Sequence, residues 1–316
     1  MKKFFTLFLS IILCALCLFS FSACDDKTIS SEDIINPRTK NIRVGYVEYA
    51  PLNYMYKDKF TGYNTKLAVS VFNTLGYNVE FVLVEPTDDD RRVVNQNDVY
   101  QAFNNDEIDC FWGGISDAVL NDDSKFDFSY KYMENSPCLV IVNGHSQINS
   151  IDDFNGKTVA FGRDSSGQKY CNDYLVGRIN GIDFKNCPKG QSSALHNANS
   201  YIEDANCAIV DTLFAYYHLE KTNEYSNLTL NSTKTHPANY QIEQKNYLRV
   251  VFKKNLTGTN ELRDNVNKTL EFFANLKQNT IDYGEVSLLE APAIGISFTN
   301  ADLKDFLITD FSNQKK

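Results

Sequence analysis

Histidine is scarce in this chain. Four occur in 316 residues and no two stand at metal-ligand spacing, so no histidine-built metal centre is expected. Clustered Lys and Arg are also missing. The formal net charge is −9, from 40 acidic and 31 basic residues. An acidic chain with no basic block argues against a nucleic-acid partner, because neutralising phosphates needs grouped cations. No G-x-x-x-x-G-K-[ST] phosphate loop occurs. A single long apolar run, at the N-terminus, argues against a polytopic membrane protein. Neither collagen nor coiled-coil composition is present. What remains is a folding chain, 43% hydrophobic and 22% charged, with one Trp among many Tyr and Phe. Its length suits two lobes of ordinary size.

Lys2 and Lys3 precede an apolar stretch over residues 4–21, broken only by Thr6, Ser10 and Ser20. A charged start, an apolar run and small residues before a cut mark an export signal. Phe21-Ser22-Ala23-Cys24 resembles a bacterial lipobox, with Phe21 where Leu is usual. The resemblance implies cleavage after residue 23 and lipid on Cys24. The alternative is a plain transmembrane anchor. Either places the globular part outside the cytoplasm, tethered to the outer face of the bacterial membrane. Residues 24–40 read as a polar linker.

Without Cys14, Cys17 and Cys24, five cysteines remain: Cys110, Cys138, Cys171, Cys187 and Cys207. An odd number cannot all pair internally. Cys171, in the first turn of a predicted helix, and Cys187, at the end of the next strand, are expected at one edge of a βαβ layer as a disulfide. The alternative is unpaired buried thiols.

Strands and helices alternate along the rest of the chain. Strands are predicted over 42–47, 79–84 and 110–115, with helices over 67–75 and 98–104. The second unit begins near Ser150. It carries strands over 158–161, 183–187 and 207–210 and helices over 168–179, 192–202 and 212–219. A strand over 248–252 and an amphipathic helix over 261–276 follow. Such alternation predicts α/β layers with parallel strands. Residues 286–316 read as a tail, with a helix at 300–307.

The order of short motifs then becomes specific. Ile42-Arg43-Val44-Gly45 precedes Tyr49-Ala50-Pro51-Leu52, then Phe60-Thr61-Gly62-Tyr63-Asn64. Ile108-Asp109-Cys110-Phe111-Trp112-Gly113-Gly114 follows, then Phe126-Asp127-Phe128-Ser129-Tyr130-Lys131-Tyr132 and Asp153-Phe154-Asn155-Gly156-Lys157-Thr158-Val159-Ala160. Over residues 41–285 this series resembles the family 3 extracellular solute-binding proteins of ABC transporters, the polar amino acid-binding type, in lipoprotein form. Asn64 replaces that family's Asp, and Lys131 its Pro.

The resemblance implies a two-lobed, periplasmic-binding-protein-like type II α/β fold with the ligand cleft between the lobes. Lobe 1 would span 41–142 and 247–285, lobe 2 would span 143–246, and a tail would follow. It implies capture of an amino acid or related small polar solute by hinge closure. A monomer would deliver the solute to separate permease and ATPase subunits, with no cofactor, metal or catalysis.

Candidate ligand-binding residues stand at strand ends, where α/β folds hold ligands. Tyr49 offers an aromatic face and a hydroxyl tip. Gly113, Gly114 and Ser116 follow a strand and allow close approach to backbone; Trp112 beside them lines either the cleft or the core. Asp164, Ser165 and Ser166 open a helix, as caps, as donors to an anion, or both. Asp211 ends a strand; in the family the matching Asp pairs with the ligand ammonium.

One departure stands out. The family's carboxylate-binding Arg falls about five residues after Ser116, where this chain reads Asp117-Ala118-Val119-Leu120-Asn121-Asp122-Asp123. Arg163, Arg92 or Lys125 are the candidate substitutes. The remaining candidates are acidic, aromatic or neutral polar, which leans toward a basic amino acid or an amine. Two other readings stay open: an enzyme similar to the cyclohexadienyl dehydratases, with Glu48 and Asp211 as candidate acids, and a surface adhesin or sensing domain.

Overall fold

The computed structural model describes residues 40–56, 58–87, 93–144, 148–200, 205–231, 240–278, 290–291, 296–297, 306–308 and 310–314. The leader, Cys24, Arg92 and the expected helix start at 300–305 lie outside the described residues. No helix among the described residues is long and apolar enough to cross a membrane.

Strand β1 (Lys40–Tyr46) sends Ile42 and Val44 into the core. A small hairpin, β2 (Tyr54–Tyr56) and β3 (Lys59–Thr61), leads to helix α1 (Tyr63–Thr74). The spacing of Leu67, Ala68, Val71 and Phe72 puts all four on the buried stripe of α1. β4 (Tyr77–Leu83) follows. α2 (Gln96–Asn104) opens with a capping box in which Asn95 and Asp98 exchange bonds. β5 (Cys110–Phe111) stops earlier than predicted, ahead of Gly113 and Gly114. β6 (Phe126–Phe128) and β7 (Met133–Glu134) lead to β8 (Pro137–Val142).

β9 (Thr158–Gly162) precedes α3 (Ser166–Tyr170), which continues as a π turn over Cys171–Leu175. Then come β10 (Asp183–Cys187), α4 (Gln191–Asn199) and β11 (Cys207–Asp211). α5 (Thr212–Ala215) also runs on as a π turn, over Tyr216–Lys221. β12 (Leu228–Leu230), β13 (Tyr247–Leu248), β14 (Val251–Lys253) and α6 (Thr259–Gln278) complete the lobes.

Two five-stranded sheets result, ordered β4-β1-β5-β14-β6 and β10-β9-β11-β8-β12. Each has three parallel strands with the earliest in the middle, then two antiparallel ones. The two lobes thus share a topology without sharing a sequence repeat. Helices cover both faces of each sheet, as parallel strands buried on both sides require. This is the two-lobed α/β fold that the sequence leads one to expect.

The sheets correct the lobe boundary. Residues 137–142 were expected in the first lobe. They form β8, whose apolar run pairs antiparallel with β11 in the second sheet, Val140 opposite Ala208. The chain crosses at 133–136 and returns at 246–248. There β7 and β13 pair antiparallel, Met133 opposite Leu248.

The expected disulfide is also corrected: Cys171 and Cys187 are both free. Cys171 packs with Val159 and Ile209 on one face of the second sheet, and Cys187 with Ala160 and Ala208 on the other. Successive strand residues point to opposite faces, so the sheet itself separates the two thiols.

The tail docks on the crossover. Glu134 N donates to Phe306 O at 2.7 Å, and Ile308 N donates to Tyr132 O at 3.0 Å. Phe306–Ile308 is therefore extended, where the sequence suggested a helix. Phe311 is buried in the first lobe's core and stacks on Tyr130, ring centroids 5.6 Å apart. The Gln314 side chain bonds both backbone groups of Lys131.

Candidate functional site

The parallel strands of both sheets end toward one another. β1 delivers Tyr49, β5 delivers Gly114 and Ser116, β9 delivers residues 163–166, β10 delivers residues 189–192, and β11 delivers Asp211. A cavity of about 360 Å³ lies among them, lined from both lobes. That volume is in the range of small-molecule sites.

Asp211 is the polar centre of the cavity wall. It is 5% exposed. Ser166 Oγ donates to its Oδ1, while Gln191 Nε2 at 2.8 Å and the Tyr49 hydroxyl at 3.0 Å donate to Oδ2. Gln191 holds it twice, since the Asp211 N–H donates to Gln191 Oε1 at 2.6 Å. Burial pushes the Asp211 carboxyl above its ordinary value, and the bonds from Ser166, Gln191 and Tyr49 pull it part of the way back. Burial, and then the charge of Asp211, push the Tyr49 phenol well above its own.

Tyr49 belongs to the first lobe and Asp211 to the second. The Tyr49 ring also lies 5.7 Å from the Phe214 ring. Asn135, in the crossover, donates to the Tyr49 hydroxyl at 3.3 Å and accepts from Leu213 N at 3.1 Å. The lobes are latched over the cavity.

Gly114 and Gly167 each stand where a side chain would be strained or crowded. Gly114 has φ +83, and a Cβ there would lie 3.1 Å from Leu52 Cδ1. A Cβ on Gly167 would lie 2.2 Å from Ile209 O, which keeps the start of α3 close against β11.

Seven of the sequence-predicted residues therefore line one cavity: Tyr49, Gly114, Ser116, Asp164, Ser165, Ser166 and Asp211. Two do not. Trp112 is 1% exposed in the first lobe's core, edge-on to Phe72 at 6.0 Å, because its strand position points away from the cleft. Gly113 is against the Phe111 ring, where a Cβ would come within 2.0 Å of Cζ.

The roles within the seven differ. Ser165 Oγ donates to Gly162 O at 2.6 Å and accepts from Gln168 N at 3.2 Å, the bonds of a helix cap. Ser116 is 3% exposed, and its Oγ has no partner among the described residues.

Other lining residues were missed. Gln191 opens α4 at the C-terminal end of β10, the same kind of position as Ser166. The strand-end rule reaches it once that helix is started one residue earlier than predicted. Phe214 follows Asp211 by one turn of helix. Val93 and Val94, between the predicted strand over 79–84 and the predicted helix over 98–104, form part of an aliphatic wall.

Of the candidate cations, Arg163 lines the cavity. Its guanidinium has no ion pair among the described residues. Lys125 is elsewhere, 3.5 Å from Asp122 and over the Tyr100 ring. Lys189 also lines the cavity, with Glu48, Glu85 and Asp164. The cavity thus carries both signs of charge, where the sequence candidates were mainly acidic. No group of His, Cys, Asp and Glu among the described residues is arranged to hold a metal.

A model of the bacterial extracellular solute-binding proteins, family 3, matches residues 42–282. No curated protein matches the chain. Similar solved structures include an ancestral arginine-binding protein bound to arginine, 21% identical, with a TM-score of 0.57 over 74% of this chain and 92% of that one. Another is the arginine-, lysine-, histidine-binding protein ArtJ of Geobacillus stearothermophilus, 21% identical, with a TM-score of 0.57 over 76% of this chain and 92% of that one. A histidine kinase sensor domain with similarity to periplasmic binding proteins is 17% identical, with a TM-score of 0.58 over 76% and 92%. At such identities the likeness is one of fold.

Proposed function

The chain belongs to the bacterial extracellular solute-binding proteins of family 3, and from that premise we propose that it is the lipid-anchored receptor of an ABC importer. It captures one amino acid, or a related small polar solute, outside the cytoplasm by closure of its two lobes. It passes the solute to separate permease and ATPase subunits, acts as a monomer, and performs no chemistry. Lipid on Cys24 holds it to the outer face of the membrane.

The observation that carries this reading is the latch of Tyr49 on Asp211 over a cavity of about 360 Å³ walled by both lobes. A hinge whose lobes meet around an internal space is a capture device. Ligand-binding roles follow for Tyr49, Gly114, Ser116, Asp164, Ser166 and Asp211. The similar structure bound to arginine, and the one named as an arginine-, lysine-, histidine-binding protein, support an amino acid as the solute class. A non-enzymatic role is supported by the state of Asp211. Three donors occupy its oxygens, which leaves it a poor general acid or base.

The test is calorimetric titration of the purified full-length chain with amino acids, after unfolding and refolding to remove carried ligand. One solute class binding at one site per monomer is the expected result. Absence of binding, or turnover of prephenate or arogenate, overturns it. Radiolabelled palmitate should enter the wild-type chain in cells and not Cys24→Ser.

A further inference from the structure

The cavity walls are unlike one another. The second lobe contributes mainly polar residues, among them Arg163, Ser166, Gln191 and Asp211, with Phe214 as its aromatic exception. The first lobe contributes Val47, Leu83, Val84, Val93, Val94 and Val119. Val84 is 5% exposed and packs in the core behind the others, and the aliphatic residues in front of it form a surface that water solvates poorly and that a hydrocarbon group covers well. Leu83 is 45% exposed, so a large apolar residue stands at this wall unburied.

Polar groups on the first lobe are few. Glu48 and Glu85 lie along the cavity but are exposed to solvent, where charge is screened. Ser116 lines the cavity and is buried, with its hydroxyl unpartnered among the described residues. An unmet buried hydroxyl costs free energy unless a ligand supplies the partner. Of the cavity's two cations, neither of which has a partner among the described residues, Arg163 is half-buried and Lys189 is exposed.

We propose that the solute is an amino acid with a branched aliphatic side chain, held polar end toward the second lobe. This rests on the capture reading above and narrows it. The ammonium meets Asp211, the carboxylate meets Arg163 and the Ser116 hydroxyl, and the side chain lies against the valines and Leu83. The anion anchor thus moves from the first lobe, whose described residues put no cation on the cavity, to Arg163 of the second. A guanidinium or carboxamide side chain in the same pose would lose water against the aliphatic wall and gain no partner there.

The test is titration calorimetry of the full-length chain with leucine, isoleucine, valine, arginine, lysine and glutamine. The aliphatic amino acids should bind at least tenfold tighter than arginine or glutamine, the scale at which an apolar pocket discriminates. Leu83→Gln, at a half-exposed position the fold tolerates, should weaken leucine about fivefold or more and narrow its advantage over glutamine. Ser116→Ala and Arg163→Gln should weaken all amino acids by a similar factor. Arginine or glutamine binding tighter than leucine overturns the inference and leaves the capture reading standing. Leucine affinity unchanged in Leu83→Gln overturns the placement of the side chain. Binding of no amino acid overturns the capture reading, and this inference with it.

Discussion

The hydroxyl of Tyr49 lies 3.0 Å from Asp211 Oδ2, across 162 residues of sequence and from one lobe to the other. Asn135, in the crossover, touches the same hydroxyl at 3.3 Å. One phenol therefore ties together the first lobe, the second lobe and the hinge.

Tyr49→Phe keeps the ring against Phe214 and removes only the hydroxyl. A hydrogen bond to a charged group contributes about 1.5–3 kcal/mol. Solute affinity should fall roughly tenfold or more, and the urea midpoint of the free protein should change little. Small-angle scattering of the free variant should report a larger radius than wild type. An unchanged radius and affinity would show that the latch does not hold the lobes.

Asp211 gives the fold a pH dependence of known sign. Its folded carboxyl is raised above the ordinary value, chiefly by burial. Its contribution to stability is therefore complete below the unfolded value and is lost as pH rises through the folded one. Asp122, Asp153 and Asp310 have the opposite sign. Hydrogen bonds from Ser124, from the Asn149 and Ser150 backbones and from Ser312 hold them low. Their contributions are lost as pH falls. The difference in stability between wild type and Asp211→Asn isolates the first effect. It should shift against wild type as pH rises from about 4. A difference independent of pH would refute the assignment.

The five cysteines of the lobes should be silent. Burial pushes the Cys138 and Cys207 thiols up to about 12, and raises those of Cys110, Cys171 and Cys187 as well. The thiolate is the reactive form. Native protein at pH 8 should release almost no chromophore from a thiol reagent, and the chain unfolded in guanidinium should react fully. A mass two hydrogens lower before reduction would restore the disulfide that the sheet rules out.

Phe311→Ala tests the docked tail. The ring is 4% exposed and stacks on Tyr130. Truncating a buried Phe costs about 3 kcal/mol or more, which urea unfolding measures directly. Because Phe306, Ile308 and Gln314 also bond the backbone of Lys131, Tyr132 and Glu134 beside the hinge, solute affinity should change too. A variant as stable as wild type would show that the tail is not docked in solution.

The strands, the helices and their alternation were legible in the sequence because they follow from local periodicity. So were seven of the cavity residues, since strand C-termini and helix N-termini can be found one segment at a time. The Asp211 partnership with Gln191, 20 residues earlier, and with Tyr49, 162 residues earlier, was not legible. Nor was the inward turn of Trp112, the separation of Cys171 from Cys187, or the gathering of valines from four segments around one cavity. Each depends on which face of a sheet a side chain takes and how one lobe meets the other. Local sequence determined the elements and the residue types at their ends. Register, sheet order and lobe contact, set only when distant segments pack, decided which of those residues share a cavity.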